Sequence, residues 1–177
     1  MSSLEEIRNS RLNKLQKLKD AGVNPYPAKV PRDFEIAEVK KDFTELEKQG
    51  KENGKEISIA GRVMAIRGQG AILFAVLFDG TEKFQTIFKK DELNEKWFSL
   101  FVDTADMGDF ISVTGPAITS ERGEPSILVK SWTMATKSLL PLPDKWEGLQ
   151  DVEERYRKRY LDFLVKPELR DLMAKKA

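Results

Sequence analysis

The side chains with the clearest chemical potential suit the binding of planar groups rather than the breaking of bonds. Phe74 stands in an apolar run, AILFAVLF, and the alternate side chains of such a strand point to opposite faces. One face, formed by Leu73, Ala75 and Leu77, can fill an interior, so the face with Phe74 must be covered or used. An exposed aromatic ring there is a platform for stacking a base. The pattern leaves open that the N-terminal helices cover this face instead.

Gln85 is the second candidate, on the next predicted strand. It alternates out of phase with Phe84 and Phe88, so we expect it to face outward when they face inward. Its amide has both donors and an acceptor, which match the edge of a base. A single glutamine on a strand is usually only a solvent-facing residue. The position of Gln85 on the strand beside Phe74 favours a role in binding. Three other polar residues are ordinary alone and suggestive together: Arg62, Arg67 and Glu124.

The groups on which most enzymes depend are missing. The chain has no cysteine and no histidine, which removes thiolate nucleophiles, disulfides, zinc ribbons and the usual general base near neutral pH. Asp106 and Asp109 look like turn residues. The GQG at 68–70 lacks the strand–helix context and the lysine of a phosphate loop. A metal would have only oxygen ligands, and a self-contained enzyme is disfavoured.

Composition is typical of a globular protein that uses a few placed charges. Of the 177 residues, 40% are hydrophobic and 33% are charged, a balance unlike that of a disordered chain. The sequence has no apolar run long enough for a membrane span and no secretory signal, so we expect a cytoplasmic protein. Residues 57–136 carry two more acidic than basic side chains. Any contact with nucleic acid there must depend on individual residues rather than on a broad positive field.

Three sections follow one another along the chain. Residues 1–55 predict helices that pack on the next section. The first begins with a capping box at Ser3 and Glu6 and carries five basic residues between Arg8 and Lys19, which either contact phosphates or face solvent, and the second covers 34–49. Residues 137–177 predict a linker followed by a helix over 151–164 and a further helix from Pro167. Residues 56–136 predict a helix between the third and fourth of five strands, at 57–67, 71–78, 83–89, 109–119 and 125–134. This order indicates a mainly β protein built on a five-stranded OB-fold β-barrel with helical appendages. An antiparallel sandwich is the alternative.

The same section resembles the N-terminal half of bacterial-type class II lysyl-tRNA synthetases (lysine–tRNA ligases). The resemblance covers most of residues 55–165 and is carried by GRVMAIRGQGAILFAVLFDG, KFQTIFKKDEL, GDFISVTG, RGEPSILVKSW and SLLPLPDKWEGLQDVEERYRKRYLDF. The last of these is the most specific. Glu147 stands where the family commonly has a histidine. The resemblance implies an OB-fold anticodon-binding domain that reads the anticodon loop of a lysine tRNA.

The resemblance also implies roles for individual residues. Phe74 resembles the aromatic residue that stacks on the middle anticodon base, and Gln85 resembles the amide that hydrogen-bonds to that base. Arg67 and Glu124 resemble the polar residues that complete the pocket. Arg62 resembles an arginine that contacts the RNA backbone.

For the rest of the protein the resemblance implies a catalytic domain of which residues 137–177 hold only the linker and the start. The intact protein would be a homodimer that attaches lysine to its tRNA with ATP and Mg²⁺. We expect this chain alone to be inactive, without cofactor or metal, and monomeric. The alternative function is a free-standing OB-fold module for single strands or for a protein, which should be more basic in its barrel. A purely structural domain would instead bury Phe74 beneath the first helix.

Overall fold

The computed structural model describes residues 3–143 and 151–176, and the chain divides into two compact units, Met1–Leu140 and Pro141–Ala177. The helices are α1 (Leu4–Asp20), α2 (Ile36–Lys41), α3 (Phe43–Asn53), α4 (Glu95–Thr104), α5 (Val152–Arg157), α6 (Arg159–Val165) and α7 (Pro167–Ala174). The strands are β1 (Ile57–Gln69), β2 (Ile72–Phe78), β3 (Lys83–Lys89), β4 (Phe110–Gly115), β5 (Ala117–Thr119), β6 (Pro125–Leu128) and β7 (Ser131–Thr136).

The strands form one sheet in the order β5-β6-β3-β2-β1-β4-β7. Neighbouring strands are antiparallel except β3 and β6, which are parallel. The prediction of a mainly β fold, with three strands followed by a helix and further strands, is confirmed. The strand count differs from the five that the sequence predicted. Among the described residues there are seven strands, and the hydrogen-bonded order has two ends.

Two breaks turn the last two predicted strands into four. Pro116 separates β4 from β5, since proline has no N–H to give to a ladder. A Cβ on Gly115 would lie 1.9 Å from the carbonyl oxygen of Leu128, so only glycine permits this close approach. The second break lies between β6 and β7, where the backbone N–H of Lys130 donates to the carbonyl of Thr114 at 2.9 Å. The breaks let β6 pair with β3 while β7 pairs with β4.

α4 supplies aromatic side chains to one end of the core. Phe101 stacks on Phe88 with ring centroids 3.9 Å apart and meets Trp132 edge-on at 5.3 Å. The indole N–H of Trp132 donates to the carbonyl of Trp97 at 3.1 Å. Phe98 is buried, whereas Trp97 stays 39% exposed.

The N-terminal helices belong to the same unit as the sheet. α1 begins with the predicted capping box, in which Ser3 and Glu6 each accept a hydrogen bond from the other's backbone N–H. The second predicted helix is divided into α2 and α3, and it continues past Gly50 to Gly54, whose φ of 64° is left-handed. α1 packs against α4, α2 against β3, and α3 against β5.

Asp79 joins the turn after β2 to the start of α2. Its Oδ2 accepts from the backbone N–H of Ile36 at 2.8 Å, and its Oδ1 accepts from the N–H and hydroxyl of Thr81 at 2.9 and 2.6 Å. A longer bond comes from the N–H of Glu82 at 3.3 Å. Burial raises the pKa of Asp79, but the four hydrogen bonds outweigh burial and hold that pKa below its ordinary value.

A buried cation fixes the loop before β4. The Nζ of Lys137 donates to the carbonyl of Thr104 at 2.7 Å, to Asp106 at 2.6 Å and to Asp109 at 2.8 Å. The two aspartates therefore do more than form a turn. Burial raises the pKa of Asp109 above its ordinary value despite Lys137. Burial also acts on Asp106, but the bonds from Lys137 and Lys14 prevail and lower its pKa.

The second unit consists of α5, α6 and α7. The single helix predicted over 151–164 is divided at Lys158, and α7 begins at Pro167 as expected. Asp162 is buried and pairs with Arg155 at 3.2 Å. Among the described residues of the unit, four large hydrophobic side chains are exposed: Val152, Tyr156, Tyr160 and Leu172. Part of the predicted linker, including Glu147, lies outside the described residues.

Candidate nucleic-acid interface

An open groove of 610 Å³ runs over the outer faces of β2 and β3 and is closed on one side by the β5–β6 hairpin. Its lining combines apolar surface with charges of both signs. The lining residues are Arg67, Gly68, Ile72, Phe74, Gln85, Ile87, Lys89, Ile118, Thr119, Ser120, Glu121, Arg122 and Glu124.

The phase predicted for β2 is confirmed. Leu73, Ala75 and Leu77 are buried in the core, while Phe74 on the opposite face is half-buried. Its ring lines the groove. Among the described residues, none from the N-terminal helices lines the groove, so the reading in which those helices cover Phe74 is not what the structure has. The ring is therefore available to a planar ligand.

Gln85 lies on the groove face as the alternation predicted, but it is not an ordinary solvent-facing residue. Only 8% of it is exposed, because β6 pairs in parallel with β3 and places Ser126 directly beside it. The Oε1 of Gln85 accepts from Arg67 at 3.1 Å, and its Nε2 donates to the hydroxyl of Ser126 at 2.9 Å. Both ends of the amide are thus held by the protein.

Sheet register brings Arg67 and Phe74 together. Arg67 on β1 is the cross-strand partner of Phe74, which is in turn the partner of Ile87 on β3. Gln85 lies two residues from Ile87 on the same face, so it is the diagonal neighbour of Phe74. Three of the predicted residues therefore converge on one patch of sheet at the groove floor.

Glu124 lies at the groove wall, at the end of a tight turn. The backbone N–H of Ser120 donates to the carbonyl of Glu124 at 2.9 Å, and the hydroxyl of Ser120 accepts from the N–H of Glu124 at 3.0 Å. Gly123 makes the turn possible with a left-handed φ of 81°. The exposed residue Glu124 therefore lines the same groove as Gln85, from a well-defined hairpin.

Arg62 is the one predicted residue that the structure does not bring to the groove. It is half-buried in the middle of β1, where its guanidinium lies 4.3 Å from the centroid of the Phe110 ring. It also donates to the carbonyl of Gly108 at 3.3 Å. Burial lowers the pKa of Arg62 below its ordinary value. These contacts hold the start of β4, and they are unlike those of the other four residues.

Sequence reasoning missed several groove residues. Lys89 and Arg122 add positive charge, and Ile87 and Ile118 add apolar surface. The alternation of β3 placed Ile87 on the face of Gln85 and could have identified it. Ser126 could not have been found in this way, because its place beside Gln85 depends on a pairing between strands 41 residues apart.

The basic run of α1 is largely engaged within the protein rather than forming a phosphate-contacting face. Arg11 is buried and donates to the carbonyls of Met107, Ser138 and Leu140. Lys14 pairs with Asp106 at 2.6 Å. A hypothesis that this helix binds RNA backbone thus loses its main residues.

Residues 3–143 and 151–176 contain neither a metal-binding cluster nor a membrane-spanning helix. No group of three or more acidic side chains that could hold a metal ion occurs in these ranges. None of the helices described there is long and apolar enough to cross a membrane.

Comparisons with known proteins agree with the architecture of the sheet. Residues 57–135 match the sequence model of the tRNA anti-codon family, described as an OB-fold nucleic acid binding domain. The lysine–tRNA ligase of Roseiflexus castenholzii is 38% identical over 175 residues, 98% of this chain and 35% of that protein. Those of Nostoc punctiforme and Prochlorococcus marinus are each 40% identical, over 99% and 100% of this chain and 32% and 36% of theirs. The chain spans about a third of the length of these curated relatives.

Proposed function

We propose that the chain is the N-terminal, anticodon-reading region of a lysine–tRNA ligase, because residues 57–135 match the sequence model of an OB-fold nucleic acid binding domain and nearly the whole chain is similar to such ligases. One observation supports this most strongly. An aromatic ring, a held amide, an arginine and a carboxylate, from Phe74, Gln85, Arg67 and Glu124, line a single groove on the face of the sheet that OB-folds use for nucleic acid.

The ring of Phe74 stacks on the middle base of the anticodon. Single-stranded bases are unstacked and can be laid on an aromatic face, which contributes about 1–3 kcal/mol per base. The neighbouring side chains Ile72 and Ile87 extend this apolar floor. Stacking is possible with any base, so it supplies affinity but no base specificity.

The amide of Gln85 supplies the base specificity, because it hydrogen-bonds to the edge of the stacked base. Lysine tRNAs read AAA and AAG, so the last two anticodon positions are uridines. A uracil edge offers a donor between two acceptors and matches an amide that presents one N–H and one lone pair. Arg67 and Glu124 complete the pocket around this base. The predicted contact of Arg62 with the RNA backbone stays a separate hypothesis.

We propose that the whole protein, of which this chain matches about a third, attaches lysine to its tRNA with ATP and Mg²⁺ and acts as a cytoplasmic homodimer of class II. Residues 1–55 support the OB-fold domain of 56–136, and 137–177 form the linker and the start of the catalytic domain. The chain alone therefore catalyses neither lysyl-adenylate formation nor tRNA charging, and it is monomeric. Detectable lysine-dependent pyrophosphate exchange by the pure chain would contradict this part.

The experiment that tests the proposal is a filter-binding titration of the chain against two transcripts at fixed salt. One is a lysine tRNA, and the other is the same tRNA with its anticodon exchanged for that of a non-cognate tRNA. We expect the lysine anticodon to bind more tightly, and the difference to persist at higher salt, because base contacts release few counterions. Equal binding of the two transcripts would refute anticodon reading.

A further inference from the structure

We propose that Ser126 is a positioning residue that fixes the direction of the Gln85 amide and thereby lets the groove distinguish uracil from cytosine. The inference rests on the proposed reading of the middle anticodon base by Gln85. Nothing in the resemblance of the chain to its relatives assigned a role to Ser126. Three hydrogen bonds join Arg67, Gln85, Ser126 and Glu124.

A glutamine amide that rotates freely cannot distinguish uracil from cytosine. In one orientation its N–H faces the O4 acceptor of uracil while its oxygen accepts from the N3–H. After a half-turn of the amide, the oxygen accepts from the N4 amino group of cytosine while the N–H donates to N3. The two pairings have the same number of hydrogen bonds. Discrimination by Gln85 therefore requires that one orientation be excluded.

Arg67 fixes the oxygen end of the amide. A guanidinium carries only donors, so the atom that faces the Nη2 of Arg67 at 3.1 Å has to be the Oε1 of Gln85. In the reversed orientation two sets of N–H groups would face each other. This contact is charge-assisted and favours the orientation that suits uracil.

Ser126 fixes the nitrogen end. Its hydroxyl is fully buried and lies 3.0 Å from the carbonyl oxygen of Glu124, to which it donates its single proton. The serine oxygen is thereby left as an acceptor, and it accepts from the Nε2 of Gln85 at 2.9 Å. Reversal of the amide would place Oε1 against this acceptor, or would force the serine proton to leave Glu124.

After both bonds are made, Gln85 retains one N–H and one lone pair for a ligand. An opposing uracil edge satisfies both groups. A cytosine edge placed in the same way would set donor against donor and acceptor against acceptor. The hydrogen bonds from Gln85 to Ser126 and from Ser126 to the carbonyl of Glu124 thus hold the amide in one orientation.

The test uses the 177-residue chain and two RNA anticodon stem-loops that differ only in a uridine or a cytosine at the middle position. Dissociation constants are measured by fluorescence anisotropy for the wild type, Ser126→Ala, Gln85→Ala and the double variant. Ser112→Ala is the matched control, because Ser112 is also a buried serine of the sheet that donates to a carbonyl, that of Pro31, but it does not line the groove. Thermal unfolding verifies that each variant is folded.

We expect Ser126→Ala to lower the uridine-over-cytosine ratio about fivefold, the factor that one net hydrogen bond represents. Most of the change should be tighter binding of the cytosine stem-loop, because the amide can now turn. A loss of structure would weaken both RNAs instead. Ser112→Ala should leave the ratio unchanged, and Ser126→Ala should have no effect on it in the Gln85→Ala background.

Two outcomes would overturn the inference. One is an unchanged ratio in Ser126→Ala, and the other is an equal fall of the ratio with and without Gln85. A wild type that binds the two stem-loops equally would instead refute the proposed anticodon reading itself, so the two failures are distinguishable.

Discussion

The ammonium group of Lys137 lies 2.8 Å from Oδ2 of Asp109, and neither side chain reaches solvent. The pair joins the chain just after β7 to the chain just before β4, and Asp106 and Thr104 supply the remaining acceptors for the ammonium. A buried charge of this kind is tolerated only while its partners are present. The end of the sheet therefore depends on one lysine that the sequence did not single out.

Replacing Lys137 should destabilise the chain strongly. Lys137→Met leaves the buried carboxylate of Asp109 without its cation, and we expect the free energy of unfolding to fall by about 3–5 kcal/mol. Lys14→Met is the matched control, because Lys14 pairs with Asp106 from a partly exposed position. It should cost about 1 kcal/mol or less. Urea unfolding measures both variants, and equal stability of the two would contradict the account of the buried pair.

The stability contributed by Asp79 should depend on pH. Its folded pKa lies below the ordinary value, so the contribution is complete above the unfolded pKa of about 3.9 and is lost as the pH falls through the folded value. Asp79→Asn should lower the free energy of unfolding by about 1–3 kcal/mol at neutral pH. The difference from the wild type should shrink as the pH falls from about 5 towards 2. Asp91→Asn, which removes an exposed carboxylate from the turn after β3, is the control for net charge. A difference that stays constant with pH would show that the charge of Asp79 contributes nothing.

Phe74 should contribute to RNA affinity but not to base specificity. Phe74→Ala should weaken every anticodon stem-loop by about 1–3 kcal/mol, because stacking is possible with any base. Phe78→Ala is the matched control, as it removes the same side chain from the same face of β2 outside the groove lining. Anisotropy titrations with four stem-loops that differ at the middle position measure the effect. A loss confined to one base would show that the ring does more than stack.

Arg62 gives a prediction in which the resemblance and the structure point to different results. If Arg62 contacted the RNA backbone, its removal would lower the salt dependence of RNA binding. The position of Arg62 over the Phe110 ring indicates instead that Arg62→Ala costs about 1 kcal/mol of stability and leaves the salt slope unchanged. Unfolding curves, together with dissociation constants at several salt concentrations, separate the two results. A reduced slope in a variant of unchanged stability would favour the RNA contact.

The strand positions that could be predicted are those governed by local alternation. β2 has one buried face, so its period of two placed Phe74 on the outer face, and the resemblance identified the same residue. The capping box of α1 is likewise a local signal, and it was predicted for the same reason.

The positions that could not be predicted depend on pairings between distant segments. Gln85 is buried because β6 lies parallel to β3, and Lys137 is buried because its partners come from the loop before β4. The break at Pro116 was visible in the sequence, but its effect required the contact between Gly115 and the backbone of Leu128. Arg62 and Arg67 lie on the same strand, and only the fold shows that Arg62 contacts the Phe110 ring while Arg67 binds Gln85.

The most direct test of anticodon reading is the preference of the chain for a middle uridine over a middle cytosine, measured with and without the Gln85 amide. Dissociation constants are determined for the two stem-loops with the wild type and with Gln85→Ala. The account predicts that the wild type prefers uridine, and that Gln85→Ala lowers this ratio by about tenfold or more while Phe74 retains much of the affinity, since two edge hydrogen bonds are lost. A ratio that is the same in the wild type and in Gln85→Ala would contradict the account and would leave a groove that binds by stacking and shape alone.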